Sequence, residues 1–193
     1  VDLFGWVGAN SSLAAYGINN NDVSSSYGNT VNEALMSDWG VVANAASLGG
    51  HNDWRTLTNA EWGYLFNNRT NASQKYGHGS VNGVNGMIIL PDVWVLPDGL
   101  SFTAGNSAWA NLYTTDQWEK MEKNGAVFLP AAGYRNGSSV TSVGSFGFYW
   151  SSTSSESEAN FAYCVKFDSG NLHPQGEYNR RFGVSVRLAR VVE

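Results

Sequence analysis

The chain has 193 residues, enough for one domain to bury a core without disulfides or metal staples. Only 14% of its residues are charged and the net charge is −5, which argues against the Lys/Arg-rich surface of a nucleic-acid binder. Its one cysteine, Cys164, excludes an internal disulfide framework, and no apolar run is long enough to span a bilayer.

No Pro/Ser-rich or charged linker divides the sequence, so residues 1–193 read as a single domain. With 22 glycines and 13% aromatics, the composition predicts a loop-rich fold pinned by aromatic side chains. Rigid aromatics beside Ser, Gly and Asn are also the residue types of adaptable binding surfaces.

Residues 1–50 carry isolated anchors (Phe4-Gly5-Trp6, Tyr16, Tyr27, Asp38-Trp39-Gly40) among Gly, Asn and Ser, and read as loops and short strands. Thr58 with Glu61 forms a capping box, and Trp62, Leu65 and Phe66 follow at helical spacing, predicting a helix over Asn59–Asn68. Val84 to Leu90 reads as a buried strand ended by Pro91, with Gly83 and Gly86 as turn residues at its flanks. Thr114 with Gln117 caps a second helix over Thr115–Asn124, with Trp118 and Met121 one turn apart and Gly125 as the stop. Ala126–Pro130 is a short apolar strand, Tyr134–Gly137 a turn, and Phe148–Ser152 strand-like. Phe161–Phe167 and Val184–Arg190 alternate. Two helices and several short strands predict an α+β domain with an antiparallel sheet.

In a strand, side chains alternate faces. Phe161, Tyr163, Val165 and Phe167 then share a core face, and Asn160, Ala162, Cys164, Lys166 and Asp168 an outward one. From Leu172 to Phe182 no period is visible, so this stretch reads as an exposed loop. On the last strand, Arg187 reads as partly buried and Arg190 as solvated.

Several motifs together resemble a bacterial C-type-lectin-fold family. They are Asp38-Trp39-Gly40, Trp54-Arg55-Thr56-Leu57-Thr58 with Glu61-Trp62, Phe128-Leu129-Pro130-Ala131-Ala132-Gly133-Tyr134-Arg135, Gly147-Phe148-Tyr149-Trp150-Ser151-Ser152-Thr153 and Gly183-Val184-Ser185-Val186-Arg187-Leu188. The resemblance runs from about Phe4 to Arg190 and takes in the Fibrobacter-type major paralogous domains and the variable proteins of diversity-generating retroelements. It implies a C-type-lectin-like fold: two helices on short antiparallel strands, loop-rich, with residues 148–190 as the variable, ligand-binding region. The display positions it implies are Ser154, Ser155, Glu156, Glu158, Cys164, Lys166, Asp168, Asn171, His173, Gln175, Glu177, Tyr178, Asn179, Arg181 and Phe182. Tyr178, Arg181 and Phe182 are the types that dominate affinity at interfaces.

One departure stands out. Mutating the first two bases of an Asn codon cannot yield Lys, Glu or Gln, yet Glu156, Glu158, Lys166, Gln175 and Glu177 occupy such positions. Either the template holds other codons there, or the chain is a non-diversifying relative, such as a surface or adhesin domain with a fixed protein or glycan ligand.

The same fold resembles the formylglycine-generating enzymes, whose chemistry needs a second reactive thiol that this sequence lacks. His51, His78 and His173 show no metal-ligand spacing. No phosphate-binding loop, dinucleotide fingerprint or serine nucleophile elbow occurs. No cofactor is expected; a structural calcium held by Asp92 and Asp98, or by Asn19-Asn20-Asn21-Asp22, stays open. The expectation is a monomeric, non-enzymatic binding protein, displayed at a cell surface or on a phage particle, whose partner is a protein or glycan on another surface.

Overall fold

The computed structural model describes residues 38–40, 44, 46–105, 108–136, 139–158 and 160–190. Phe4-Gly5-Trp6, Tyr16, Asn19–Asp22 and Tyr27 lie outside them. Among the described residues the chain is mixed α+β and loop-rich, with two α-helices and several small sheets.

Helix α1 (Asn59–Gly63) starts at the Thr58–Glu61 capping box and continues through a π-helical turn, Tyr64–Asn68. Helix α2 (Thr115–Lys123) starts at the Thr114–Gln117 box. It stops in a Schellman motif: the Ala126 N–H donates to the Met121 carbonyl and the Gly125 N–H to that of Glu122, with Gly125 at φ 89°. Both helices thus start where a threonine hydroxyl and a Glu or Gln side chain satisfy otherwise unpaired backbone N–H groups.

One sheet of four strands has the order β4-β2-β3-β5: β2 (Tyr76–Val81), β3 (Val84–Ile89), β4 (Asn111–Tyr113) and β5 (Val127–Pro130). Its pairings are antiparallel except β2 with β4, which is parallel. Strand β2 has no apolar alternation because Gly77 and Gly79 leave room for neighbours; a Cβ on Gly77 would lie 2.5 Å from the Thr103 carbonyl oxygen. Gly86 lies inside β3, under the Phe128 ring, and not in a turn. The turn is Asn82-Gly83, both at positive φ, which joins β2 to β3.

Short β1 (Arg55–Thr56) pairs with β11 (Leu188–Ala189), and β6 (Tyr134–Asn136) pairs with β7 (Ser139–Thr141) where a turn was expected. Asp38 accepts from the Thr56 and Gly40 backbone N–H groups, fixing the Asp38-Trp39-Gly40 anchor to β1. The three-stranded sheet that frames the C-terminal region has the order β10-β9-β8: β8 (Gly147–Ser154), β9 (Phe161–Phe167) and β10 (Leu172–Asn179).

Among the described residues, three apolar clusters hold these layers. Trp62 and Phe66 of α1 meet Met87, Leu129, Tyr149, Val165 and Phe167. Trp118 and Met121 of α2 pack on Ile88, Leu90 and Tyr113. The third cluster lies on the opposite face of the β8–β10 sheet and joins Phe148, Trp150, Ala162, Cys164 and Val184.

Of the residues expected to face the core, Leu65, Phe161 and Tyr163 are only half-buried, as are Phe128 and Val186 on their apolar strands. The two arginines near the C-terminus are the reverse of the expectation. Arg187 is exposed, while Arg190 is half-buried, 3.8 Å from Asp53 and over the Trp54 ring. No helix among the described residues is long and apolar enough to cross a membrane.

Candidate functional site

Strand β9 sets the geometry. Phe167 and Val165 point to the α1 side, as the period of two requires. The other side was expected to face solvent, but Ala162 is fully buried and Cys164 is 1% exposed. Cys164 is therefore not a display residue. Burial pushes its thiol up to about 12, so it stays protonated and inert at neutral pH.

Distant segments cause this burial. Residues 183–185 run beside β8: the Trp150 N–H donates to the Ser185 carbonyl and the Ser185 N–H to that of Phe148. Gly183 exchanges backbone hydrogen bonds with Arg135 of β6. These contacts lay Val184 and the Tyr134 ring over the Cys164 side of the sheet. Arg180, 2% exposed, clamps the same segment through its Nε, 2.8 Å from the Phe161 carbonyl oxygen.

Residues 172–182, read as an aperiodic loop, contain the edge strand β10, with half-buried and exposed residues alternating over Leu172–Tyr178. Its register against β9 slips between His173 and Gly176, around Pro174. His173 pairs with Lys166, Glu177 with Tyr163 and Tyr178 with Ala162. Paired residues share a face, so Lys166, His173 and Tyr178 lie on the Cys164 side and Glu177 on the other.

On that side an aromatic floor forms. Tyr178 stacks on Phe148 at 4.6 Å and tilts against Phe182 at 4.9 Å. Tyr134 meets Phe148, Tyr178 and Phe182 edge-on, and Phe146 stacks on Phe148. Burial raises the Tyr178 phenol, and Tyr134 beside it adds to the effect. Tyr178 and Phe182 are half-buried, so they are part cluster and part surface. Two cations sit on this floor: Lys166 Nζ lies 5.9 Å from the Phe148 centroid, and the Arg181 guanidinium 4.9 Å from that of Phe182.

The α1 side of the sheet is acidic at its end. Glu177 accepts from Ser155 Oγ at 2.6 Å, and Ser157 Oγ lies 3.4 Å away. Partial desolvation and the carboxylates of Glu177 and Glu156 raise the Tyr163 phenol. Gln175 reaches α1, its amide 3.4 Å from the Asn59 carbonyl oxygen. A shallow open depression of about 410 Å³ along the β10 edge gathers Lys166, His173, Gln175 and Glu177 with Asn67.

The remaining display positions scatter. Glu156, Glu158 and Asn171 are exposed; Ser154, Ser155, Asn179 and Arg181 are half-buried. Asp168 closes the β9–β10 turn by accepting from the Gly170 and Asn171 backbone N–H groups. Although burial pushes its carboxyl up, those bonds and the Asn171 side chain hold it below its ordinary value. Asp168 is thus a turn-former as much as a contact residue.

Sequence reasoning missed Tyr134, Phe146 and Phe148 as parts of the floor. A signal was present, since Phe146, just before β8, and Phe148 and Trp150 within it recur at every second position. Asp92, a candidate calcium ligand, is instead ion-paired with Lys75 at 3.1 Å and Arg69 at 3.3 Å. No group of three or more His, Cys, Asp or Glu poised for a metal occurs among the described residues.

Residues 106–189 match the family described as Domain of unknown function (DUF8237). The DUF8237 stretch takes in α2, β5 to β10 and the whole aromatic floor, and leaves out α1, β2 and β3. No curated protein and no solved structure matches the chain.

Proposed function

We propose that this chain is a ligand- or receptor-binding protein that presents a variable surface on a C-type-lectin scaffold, as the variable proteins of diversity-generating retroelements do. Its binding face is the outer side of the β8–β10 sheet and the β10 edge, within residues 148–190. It acts as a monomer at a cell surface or on a phage particle, and binds without catalysing a reaction.

One observation carries this reading: scaffold and surface separate within a few residues. Trp150, Val165, Phe167 and Arg180 are buried, while Glu156, Asn171, His173, Gln175 and Glu177, interleaved with them in sequence, are exposed. Such an arrangement lets side chains change without touching the core. The buried, protonated Cys164 also supports binding over thiol chemistry.

A second reading, a surface or adhesin domain with a fixed ligand, is favoured by the packing of the floor. Cys164, Tyr178 and Phe182 belong to an apolar cluster, and free diversification there would disturb it.

The test is a library randomised at Glu156, Glu158, Lys166, Asn171, His173, Gln175, Glu177, Asn179 and Arg181, scored separately for folding and for binding. Most members should melt near the parent, because Glu156, Glu158, Asn171, His173, Gln175 and Glu177 are exposed, where substitutions usually shift stability by within about 0.5 kcal/mol each, and Lys166, Asn179 and Arg181 lie outside the buried core. Binding specificity should change from member to member. A library that mostly fails to fold makes these residues scaffold and sinks the display reading. Encoding DNA flanked by a reverse transcriptase gene, with a near-copy of the 148–190 coding region differing at adenines, separates diversification from a fixed surface.

A further inference from the structure

We infer that the aromatic floor receives an acidic polypeptide segment, one that presents carboxylates beside apolar side chains to Lys166 and Arg181. This rests on the reading of that face as a binding surface, and names the chemistry of its partner.

The argument starts from the cations. Arg55, Arg69, Lys75 and Arg190 each lie within 4 Å of a carboxylate of the chain itself. Lys166 and Arg181 have no such carboxylate among the described residues. Both are half-buried over aromatic rings, not extended into water. The Nε–H of Arg181 is shielded from solvent and has no acceptor among the described residues. A guanidinium cannot shed its charge, and its donors are fixed in a plane, so a desolvated N–H there calls for an acceptor from outside. A carboxylate satisfies a guanidinium better than any neutral group, through short charge-assisted bonds.

The surroundings select the rest of the partner. Tyr134, Tyr178 and Phe182 provide half-buried apolar and ring surface between the two cations. That floor suits the side chains of a polypeptide. Nucleic acid would need many phosphate contacts, and this face offers two cations in a chain of net charge −5. Glu177 lies on the other face of β10 and is engaged by Ser155 Oγ; it meets Lys166 only across the open depression along the β10 edge, beyond the 4 Å of an ion pair. An acidic partner is therefore drawn to one face of the sheet and repelled by the other, which orients it.

The experiment uses fluorescence anisotropy with the whole chain and two labelled probes of equal length: an alternating glutamate–tyrosine copolymer and an alternating lysine–tyrosine copolymer. The acidic probe should bind at least roughly tenfold more tightly than the basic one, and the preference should shrink as salt rises. The paired substitution Lys166→Met and Arg181→Met keeps the apolar stems and should abolish the preference without moving the melting temperature. Lys120→Gln with Lys123→Gln, on α2, should leave it intact. Should the double Met variant melt lower, Lys166→Gln and Arg181→Gln are read singly, each expected to weaken the acidic probe. Equal affinity for the two probes, no binding of the acidic probe, or undiminished binding by the folded Met or Gln variants overturns the inference. If the randomised library folds but the acidic probe is not preferred, only the partner chemistry is wrong; if the library fails to fold, the display reading itself falls.

Discussion

At the scale of single residues, neighbours in sequence have opposite fates. Arg180 is buried and donates to the Phe161 carbonyl, while Arg181 lies over Phe182 at the surface. Cys164 and Lys166 share a face, yet only the long stem of Lys166 carries its charge beyond the aromatic layer that covers Cys164. Trp150 shows how far that layer extends. It has no exposed surface, pairs with Cys164 across the strands and accepts from Trp62 Nε1 through its carbonyl at 3.4 Å. Trp150→Ala should destabilise the fold by about 3–5 kcal/mol, since a buried large aromatic leaves a cavity that its neighbours fill only in part. Thermal or urea melts check this; a variant melting with the parent would mean that Trp150 is not a core residue.

At the scale of elements, what was legible depended on how local the signal is. The two capping boxes place both helix starts, because cap and partner are three residues apart. Strand β9 was legible over its full length because its apolar residues recur at every second position. Strands β2 and β10 were not. Gly77 and Gly79 erase the pattern in one, and Pro174 with the slipped register erases it in the other. Their hydrogen bonds come from partners, not from their own composition. The junction of β8 and β9 offers a test: an added Cβ at Gly147 would overlap the Phe167 ring. Gly147→Ala should therefore lower the urea midpoint, with a cost of about 1–3 kcal/mol for overpacking a filled core. Gly170→Ala, in the open β9–β10 turn, should be nearly silent in the same measurement.

At the scale of the whole molecule, acid should act in two stages. His78 is fully buried and desolvation lowers it from its ordinary value, so the folded chain resists the proton that the unfolded chain takes up near pH ~6.5. Stability therefore begins to fall as the pH drops below about 6.5. Glu61 works in the other window. Hydrogen bonds from Arg55 outweigh partial burial and, with the Thr58 backbone and hydroxyl, hold its carboxyl down at about 2. Its contribution is complete above the unfolded value of about 4.3 and is lost as the pH falls towards the folded one. The Arg55 and Glu61 side chains are 39% and 37% exposed, so solvent screening keeps this pair to about 1 kcal/mol or less. Urea midpoints measured across pH should show both stages. Glu61→Gln should flatten the lower one, though not remove it, because Asp92 and Asp168 are also lowered. A midpoint that stays level from about pH 7 to about pH 5 would show that His78 takes up its proton without cost to the fold.

The sequence by itself determined the local grammar of this protein: the helix starts and stops, the strands with clean alternation, and the division of β9 into two faces. Those signals depend on contacts within a few residues, where spacing and chemistry are enough. It also fixed which residue types crowd the C-terminal region, and so where a binding surface would be sought. Only the tertiary structure decided which face of that sheet meets water. Period two tells that the faces differ, but not that Val184 and Tyr134 return from distant positions to cover one of them. Burial of Cys164, pairing of β10 and the placing of Lys166 and Arg181 on an aromatic floor all follow from that long-range closure, whose partners no local pattern encodes.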